Sequence, residues 1–572
     1  MAGLFTVHSD ATAIQKPNIL WIIAEDLGPE LGCYGYPEVA TPRLDQLAED
    51  GVRFSSAYTT APVCSPSRSA LMTGMYQTSI GVHNHRSHRD DGFRLPEGVR
   101  LLTDRLREVG YFTANIVHLT EDPQERFFRG TGKTDWNFQY DGEPFDTDRW
   151  SDLKSHQPFY AQVNFPETHR GNSWNTAHEH VSQKADPAAV TIPPYYPDHP
   201  VTRYDWAQYL NSVMALDRKV GFVLDQLRRD GLADNTVVIF FGDNGRAMIR
   251  GKQWPYESGL HVPMIVYWPP SLEPPQQYAA GTVDSRLISA IDITATTLAI
   301  AGSTPPPLMQ GRVFLGSNPS APRRYVFGGR DRGDETVDRI RTVRDSRFRY
   351  IRNFYPERPF LQLNRYKEWT YPVMPLLRQL NERGKLTERQ RTLLAPTRPA
   401  EELYDLVSDP YETENLAGST EYRSIREKLS AVLDAWMTET NDRGVVPEPP
   451  EIPQFWEEHS RANYEPRLKV MQRLSDSLEV LQISERVWLH VSTAEIEGYG
   501  QVAANGILVK AGETSVLIDT PWTDAQTRDL LGWAAETLGS PVSLVVPTHS
   551  HEDCLGGLEA AHQAGADSLS LT

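Results

Sequence analysis

Cysteine is scarce in this chain. Three occur in 572 residues, Cys33, Cys64 and Cys554. An odd number spaced so far apart excludes a disulfide framework, so each thiol is read singly. Basic residues are also in deficit, 57 Lys and Arg against 75 Asp and Glu, for a net charge of -18. No long basic run offsets that deficit, so neither nucleic acid nor an anionic membrane surface is an expected partner. An anionic small substrate stays open, because a few local Arg and Lys override the global charge. No apolar run reaches about 18 residues, so no membrane-spanning helix is expected. Residues 1–16 have no basic start followed by an apolar core, and no secretory signal is read. The expected compartment is the cytoplasm, or the periplasm if the true start lies upstream.

What is present is core-forming material: 39% hydrophobic and 10% aromatic residues, enough for about two to four compact units. Continuous apolar runs over 18–23, 159–165 and 236–241 predict strands buried on both faces. Helical patterns lie over 41–51, 101–110 and 204–231, the last ending at Gly231. This alternation predicts an α/β fold with a mostly parallel sheet. A Pro-, Gly- and Ser-rich stretch over 304–323 marks a subdomain boundary, with Arg-bearing strands over 326–354 beyond it. The Pro- and Glu-rich 445–453 reads as linker. The expected organisation is a catalytic domain over 17–303, its C-terminal subdomain over 304–444, a linker over 445–482 and an incomplete second α/β segment over 483–572.

Ligands of open parallel sheets bind beyond the carboxyl ends of the strands. The first apolar run leads into Glu25-Asp26, the run at 236–241 into Asp243-Asn244, and the run at 159–165 toward Glu167 and His169. Glu25, Asp26, Asp243 and Asn244 form a hard oxygen donor set suited to Ca2+ or Mg2+ rather than zinc. Taken pair by pair, they read equally well as solvated loop residues or caps. The stretch Cys64-Ser-Pro-Ser-Arg-Ser-Ala-Leu-Met-Thr-Gly74 predicts a helix opened by Pro66. Cys64 falls at its N-terminus, where backbone N–H groups favour an anion, with Arg68 one turn in. A lone Cys is ordinarily a small buried hydrophobe, but polar and cationic surroundings argue for a reactive one.

Residues 64–74 resemble the sulfatase family, whose hallmark is Cys or Ser-x-Pro-x-Arg followed by a helix and Thr-Gly. Ala24-Glu-Asp-Leu-Gly28 resembles the family's first metal pair, Asp243-Asn244 its second, and residues 402–416 its C-terminal signature. The resemblance implies an alkaline-phosphatase-like α/β fold, a mostly parallel sheet flanked by helices with a smaller C-terminal subdomain. It implies a hydrolase of sulfate esters or sulfamates that uses a formylglycine made from Cys64, with a formylglycine-generating enzyme as maturation partner. It also implies Ca2+ or Mg2+ at Glu25, Asp26, Asp243 and Asn244.

Two departures stand out. The family's first metal pair is usually Asp-Asp, and here it begins with Glu25. The usual Gly-Lys-x-His gives way to Gly132-Lys-Thr-Asp135, so Lys133 stands as the sulfate-contacting lysine and Asp135 in place of the His, with His118 as a rival. Lys252 falls where the family carries a second sulfate-binding cation, and His169 where it has a His beside the leaving group. Arg330, Arg332 and Glu335 resemble the heparan N-sulfatase subgroup and are expected to meet a sugar carboxylate or sulfate. As a charge cluster they read equally as solvated surface.

The final segment needs its own reading. Strand patterns at 515–519 and 542–546 lead into His549-Ser-His551-Glu-Asp553 and Gly556-Gly557. This resembles the N-terminal half of a metallo-β-lactamase, a partial αββα unit, and implies Zn2+ at His549, His551 and Asp553. The family's later His and Cys ligands are missing, Cys554 is not at its thiolate position, and His562 is incidental. The expectation is an incomplete zinc motif in half a core with unpaired strand edges. The leading function is thus a sulfatase acting on a sulfated small molecule or glycan, N-sulfoglucosamine first. The alternatives are a phosphonate monoester or phosphodiester hydrolase on the same scaffold, a non-catalytic sulfated-glycan binder, and a zinc-dependent lactam hydrolase.

Overall fold

The apolar runs form the middle of a nine-stranded sheet in a computed structural model that describes residues 16–88, 90–465 and 471–569. Residues 1–15, which carry the reading of the N-terminus, lie outside the described residues, as do 466–470 of the expected linker. The strands are β1 (Asn18–Ala24), β2 (Val52–Tyr58), β3 (Phe112–His118), β4 (Thr147–Arg149), β5 (Phe159–Phe165), β6 (Thr236–Gly242), β7 (His261–Tyr267) and β8 (Thr282–Asp284). Their order is β4-β3-β5-β1-β6-β7-β2-β8, with β9 (Ile288–Ser289) beside β2. β3, β5, β1 and β6 are parallel neighbours, and β7 runs antiparallel to β6 and β2.

Every residue of β1, β5 and β6 is buried, as expected where helices cover both faces. The two-residue period of a strand sends alternate side chains to opposite cores. Leu20, Ile22 and Ala24 join Leu210, Val213 and Leu216 of the Pro200–Arg229 helix. Ile19, Trp21 and Ile23 join Leu71 and Met72 of the Cys64–Thr73 helix and Ile293 of the Ala290–Ile300 helix. Trp21 packs edge-on to Tyr160 and Phe241 with ring centroids 5.2 and 5.4 Å away, and its indole N–H donates to Thr297 Oγ1 at 3.0 Å. Truncating such a side chain to Ala costs about 3–5 kcal/mol.

A second sheet of β10 (Val326–Arg330), β11 (Ile340–Arg344), β12 (Phe348–Asn353) and β13 (Glu401–Asp405) is antiparallel throughout. Leu429, Leu433 and Trp436 of the Arg423–Glu439 helix share its core with Val343 and Tyr350. The stretch expected as a linker contains the helix Glu451–Tyr464. Glu457 of that helix pairs with Arg365 at 3.0 Å, and Ser460 donates to Glu335 at 3.0 Å. Long-range pairs of this kind hold it in place, so its Pro- and Glu-rich start does not make the whole span a bare connector.

The chain divides into two compact units at Arg461 and Ala462. The second is one sheet, β14 (Met471–Ser475), β15 (Leu478–Ser484), β16 (Val487–Ile496), β17 (Gly500–Ala511), β18 (Thr514–Ile518), β19 (Val542–Val546) and β20 (Asp567–Ser568), in that order. Pairing is antiparallel as far as β18 and parallel from β18 to β20. The parallel step from β18 to β19 is made by the helix Asp524–Glu536, the crossover that parallel strands require. Leu478, Leu508, Leu517, Leu530 and Val545 form its own buried core. None of the described helices is long and apolar enough to cross a membrane.

Candidate active site

The site begins with a helix that is buried along its whole length. All ten residues of Cys64–Thr73 are inaccessible, so its hydroxyls must find partners inside the protein. Ser69 Oγ donates to Ser65 O and Thr73 Oγ1 to Ser69 O, at 2.7 and 2.8 Å. Ser67 Oγ donates to Asp243 O at 2.5 Å, and Ser65 Oγ accepts from Arg86 N at 2.8 Å. Gly74 ends the helix with a left-handed φ of 68°, and its N–H caps Ala70 O. A Cβ there would come within 2.8 Å of Met309, so both conformation and space select glycine.

The strand ends arrive at the same level because Ala24 is in register with both Phe165 and Gly242. Glu25 and Asp26 therefore leave β1 beside Asp243 and Asn244, which leave β6. Asp26 N donates to Asp243 Oδ1 at 2.9 Å, while Asn244 Nδ2 donates to Asp26 Oδ1 at 2.9 Å. The Cys64 sulfur is 3.6 Å from Asp26 Oδ1, and donor atoms of Asp26, Cys64 and Asp243 all lie within 4.8 Å of one another. Three cations surround this group. Lys252 Nζ bonds Asp26 Oδ2 at 2.7 Å, Lys133 Nζ bonds Glu25 Oε2 at 2.8 Å, and Arg68 Nε bonds Asp243 Oδ2 at 2.8 Å. Asp135 lies 3.9 Å from Lys133, and His169 lies 3.9 Å from Asp26.

Burial and charge set the ionisation. Burial penalises the Asp26 carboxylate, yet Lys252 and then His169 overcome that penalty and hold it well below the usual range. Glu25 is likewise held down against burial by Lys133 and Arg68. Asp243 is raised, burial prevailing over Arg68. Burial pushes the Cys64 thiol up to about 12, so the unmodified side chain carries almost no thiolate near neutral pH. His169 falls to about 4, through burial and then the neighbouring Lys252.

The oxygen donors fit a hard divalent cation. Asn244 is fully buried, and its Oδ1 has no hydrogen-bond partner among the described residues. A buried carbonyl left in that state is costly, and a cation held together with Asp26 and Asp243 satisfies it. Backbone strain gathers here too: Asp26, Asp135, Arg250 and Gln253 have left-handed φ of 54°, 52°, 65° and 73°, the kind of strain that clusters at functional sites.

Other expected residues lie elsewhere or have other partners. His118 is half-exposed and 3.6 Å from Asp148. Arg330, Arg332 and Glu335, expected to meet substrate, each have protein partners. Arg330 lies 3.5 Å from Asp338, Arg332 Nε donates to Glu448 at 2.6 Å, and Glu335 accepts from Arg365 N at 2.7 Å. Glu167 pairs with Lys219 at 2.5 Å. In the second unit His549 lies 3.4 Å from Asp553, and the His551 ring is 5.0 Å from that of His549. Sequence reasoning missed Asn164, which accepts from Arg68 Nη1 at 2.7 Å. The available signal was a pair of amides, Gln162 and Asn164, inside a buried strand.

Comparison with known proteins accords with this geometry. A family model described as Sulfatase matches residues 17–303. An ulvan-active sulfatase of Formosa agariphila is 34% identical over 487 residues, covering 77% of this chain and 78% of the relative. The N-sulphoglucosamine sulphohydrolase of Homo sapiens is 29% identical over 471 residues, covering 74% of this chain and 90% of that protein. Among solved structures, a 2-O GAG sulfatase shares the fold with a TM-score of 0.53 and 22% identity, over 77% of this chain and 96% of that one.

Proposed function

The chain belongs to the sulfatase family, and from that premise we propose that it hydrolyses O-sulfate esters on a sulfated polysaccharide, with a formylglycine derived from Cys64 as nucleophile. The observation that carries this reading is the position of Cys64, at a buried helix N-terminus 3.6 Å from Asp26 and ringed by Arg68, Lys133 and Lys252. A thiol whose proton is held by burial is a poor nucleophile but a well-enclosed precursor. The hydrated aldehyde supplies one hydroxyl for attack on sulfur and a second whose deprotonation later releases sulfate.

Asp26, Asp243 and Asn244, with Glu25 beside them, would hold Ca2+ or Mg2+, which supplies positive charge to the sulfate oxygens. Lys133 and Lys252 aim two further cations at the same point, and Arg68 keeps Asp243 turned toward Cys64. Two carboxylates lie within reach of the attacking hydroxyl's proton, and Asp243, whose proton affinity burial raises, is a better base than Asp26. His169, partly exposed and next to the Lys252–Asp26 pair, is placed to hand a proton to the leaving oxygen once the negative charge of a bound sulfate offsets the burial and the Lys252 charge that keep the free imidazole neutral. Asp135, in contact range of Lys133, orients that lysine.

Ulvan-type polysaccharide is the first substrate to test, because an ulvan-active sulfatase is 34% identical over 77% of this chain. A sulfamate is the second reading, favoured by the likeness to an N-sulphoglucosamine sulphohydrolase. The test is sulfate release from ulvan oligosaccharides, N-sulfoglucosamine and a phosphodiester, using protein whose Cys64 peptide shows the aldehyde by mass spectrometry. Full activity with an intact Cys64 thiol defeats the mechanism, and preferential turnover of the phosphodiester defeats the reaction class.

A further inference from the structure

A cavity of about 360 Å3 borders the catalytic cluster, between the turn Pro123–Phe128, the residues that follow β5 and the helix Pro200–Arg229. Its volume falls in the range of small-molecule sites, roughly 300–1,000 Å3. Two of its lining residues, Thr131 and Glu167, each stand two residues before a member of the cluster, Lys133 and His169. Two residues of chain span at most about 7 Å. Thr131 Oγ1 also accepts from Lys133 N at 3.3 Å.

Packing and backbone bonds fix the walls. Asp122 Oδ1 accepts from Gln124 N at 2.8 Å and caps the turn. Phe128 stacks on Phe222 of the long helix with ring centroids 4.2 Å apart, and Phe127 stacks on His180 at 4.0 Å. Gly130 N donates to Val117 O and Thr131 N to Asn164 O, at 3.1 and 3.0 Å. A Cβ on Gly130 would come within 2.3 Å of Ile116 O, so only glycine lets the loop lie this close to β3. Charge is uneven on these walls. Arg126 and Arg129 are exposed, and their guanidinium groups have no partner among the described residues. The one carboxylate among the described lining residues, Glu167, is 3% exposed, with its Oε1 2.5 Å from Lys219 Nζ. In a chain of net charge -18, this cavity therefore keeps the positive charge of both arginines. Glu167 Oε2 has no hydrogen-bond partner among the described residues, which is costly for a buried acceptor.

We propose that this cavity is a subsite for an acidic sugar, the unit next to the one that carries the scissile sulfate. Arg126 and Arg129 take its anionic group, a carboxylate or a second sulfate, and Glu167 accepts from a hydroxyl of the same ring. Guanidinium forks match either oxyanion. The two requirements together select an acidic sugar over inorganic sulfate, which brings no hydrogen for Glu167. The subsite rests on the sulfated-polysaccharide reading and gives it a specificity: a chain with charge on the neighbouring unit is preferred to one without.

The test is titration calorimetry on the full chain carrying Cys64→Ala, which binds substrate without turning it over. The probes are a sulfated, uronate-bearing tetrasaccharide from ulvan, its carboxyl-reduced form and its singly sulfated form. Arg126→Gln combined with Arg129→Gln is expected to weaken binding of the native tetrasaccharide by about tenfold or more, the factor that a hydrogen bond to a charged group supplies. The same substitutions should change little for the probe that lacks the recognised anion. Sensitivity lost on carboxyl reduction assigns that anion to the uronate, and sensitivity lost on desulfation assigns it to a sulfate. Ser173→Glu adds a negative charge to the same lining without touching either arginine. It should weaken the native probe too, and it keeps the test valid if the double variant fails to fold. No binding of any probe, equal affinities with and without the arginines, or equal losses on all three probes overturns the proposal. Binding by Cys64→Ala needs neither the aldehyde nor sulfate release, so a failure of the subsite and a failure of the reaction are read apart.

Discussion

Asn164 holds Arg68 from the strand side of the site: Arg68 Nη1 donates to Asn164 Oδ1 at 2.7 Å while its Nε is engaged by Asp243. The bond continues into a line of amides. Asn164 Nδ2 donates to Asn115 Oδ1 at 3.1 Å, and Asn115 Nδ2 donates to Gly132 O at 2.7 Å. The guanidinium on the Cys64 helix is thereby tied to the loop that presents Lys133. One strand amide fixes two of the three cations around the nucleophile.

Replacing Asn164 with Ala is therefore expected to act on turnover. A hydrogen bond to a charged group is worth about 1.5–3 kcal/mol, so kcat should fall by about tenfold or more. KM should change little, because Arg68 and Lys133 remain in the pocket. Steady-state kinetics with a thermal melt as control separates the two effects. An unchanged kcat alongside a lowered Tm would reduce Asn164 to a packing residue.

The cation site makes a separate prediction. Asn244 contributes a buried carbonyl that no described residue satisfies. If a divalent ion fills that role, added Ca2+ or Mg2+ raises the Tm of the native chain by mass action. In Asn244→Ala the rise should be largely lost. Titration calorimetry on both proteins after chelation gives the affinities directly, and equal affinities would remove Asn244 from the ligand set.

Much of this was legible before the structure. β1 and β6 announce themselves because a strand covered on both faces has little room for polar side chains, whereas β5 keeps two buried amides, Gln162 and Asn164, by bonding both to Asn115. The carboxylates follow because each strand must hand its chain to a loop at the same edge of the sheet. What stayed hidden depends on partners far away in sequence. Arg332 looks like a surface charge until Glu448 folds against it, and Arg341 until Asp442 does. The turn from His549 into the short helix Glu552–Leu555 places the Cys554 sulfur against an imidazole that linear spacing does not single out.

Asp146 gives a pH-dependent prediction about stability. Its carboxylate accepts from Thr113 N at 2.7 Å, Thr113 Oγ1 at 2.8 Å and Arg107 Nη2 at 2.9 Å, tying β3 to the helix Leu102–Glu108. Burial opposes ionisation, but the bonds from Arg107 and Thr113 outweigh it and hold the carboxyl below its usual value. A depressed folded-state pKa contributes stability that is present above the unfolded value of about 4 and is lost as the pH falls through the folded value. Asp146→Ala should cost about 1 kcal/mol at neutral pH, a figure discounted for partial exposure. The difference should shrink steadily on acidification below about pH 4. Denaturant melts of both proteins across that range would show it, and a pH-independent difference would count against the ionised contact.

His169 makes the sharpest test of the chemistry, because leaving groups differ in how much they need a proton. Its Nε2 lies 3.9 Å from Asp26 and close to Lys252, on the open side of the cluster. A saccharide oxygen leaves badly as an alkoxide and gains from proton donation, a contribution of about 10^2–10^4-fold. A nitrophenolate leaves readily without it. His169→Ala should therefore lose about a hundredfold or more in kcat on a sulfated saccharide and far less on a nitrophenyl sulfate. Mechanisms in which His169 only binds sulfate predict equal losses on both, since the sulfate group is common to the two substrates. The ratio of the two losses decides between proton donation and binding, and it does so even if the variant lowers activity overall.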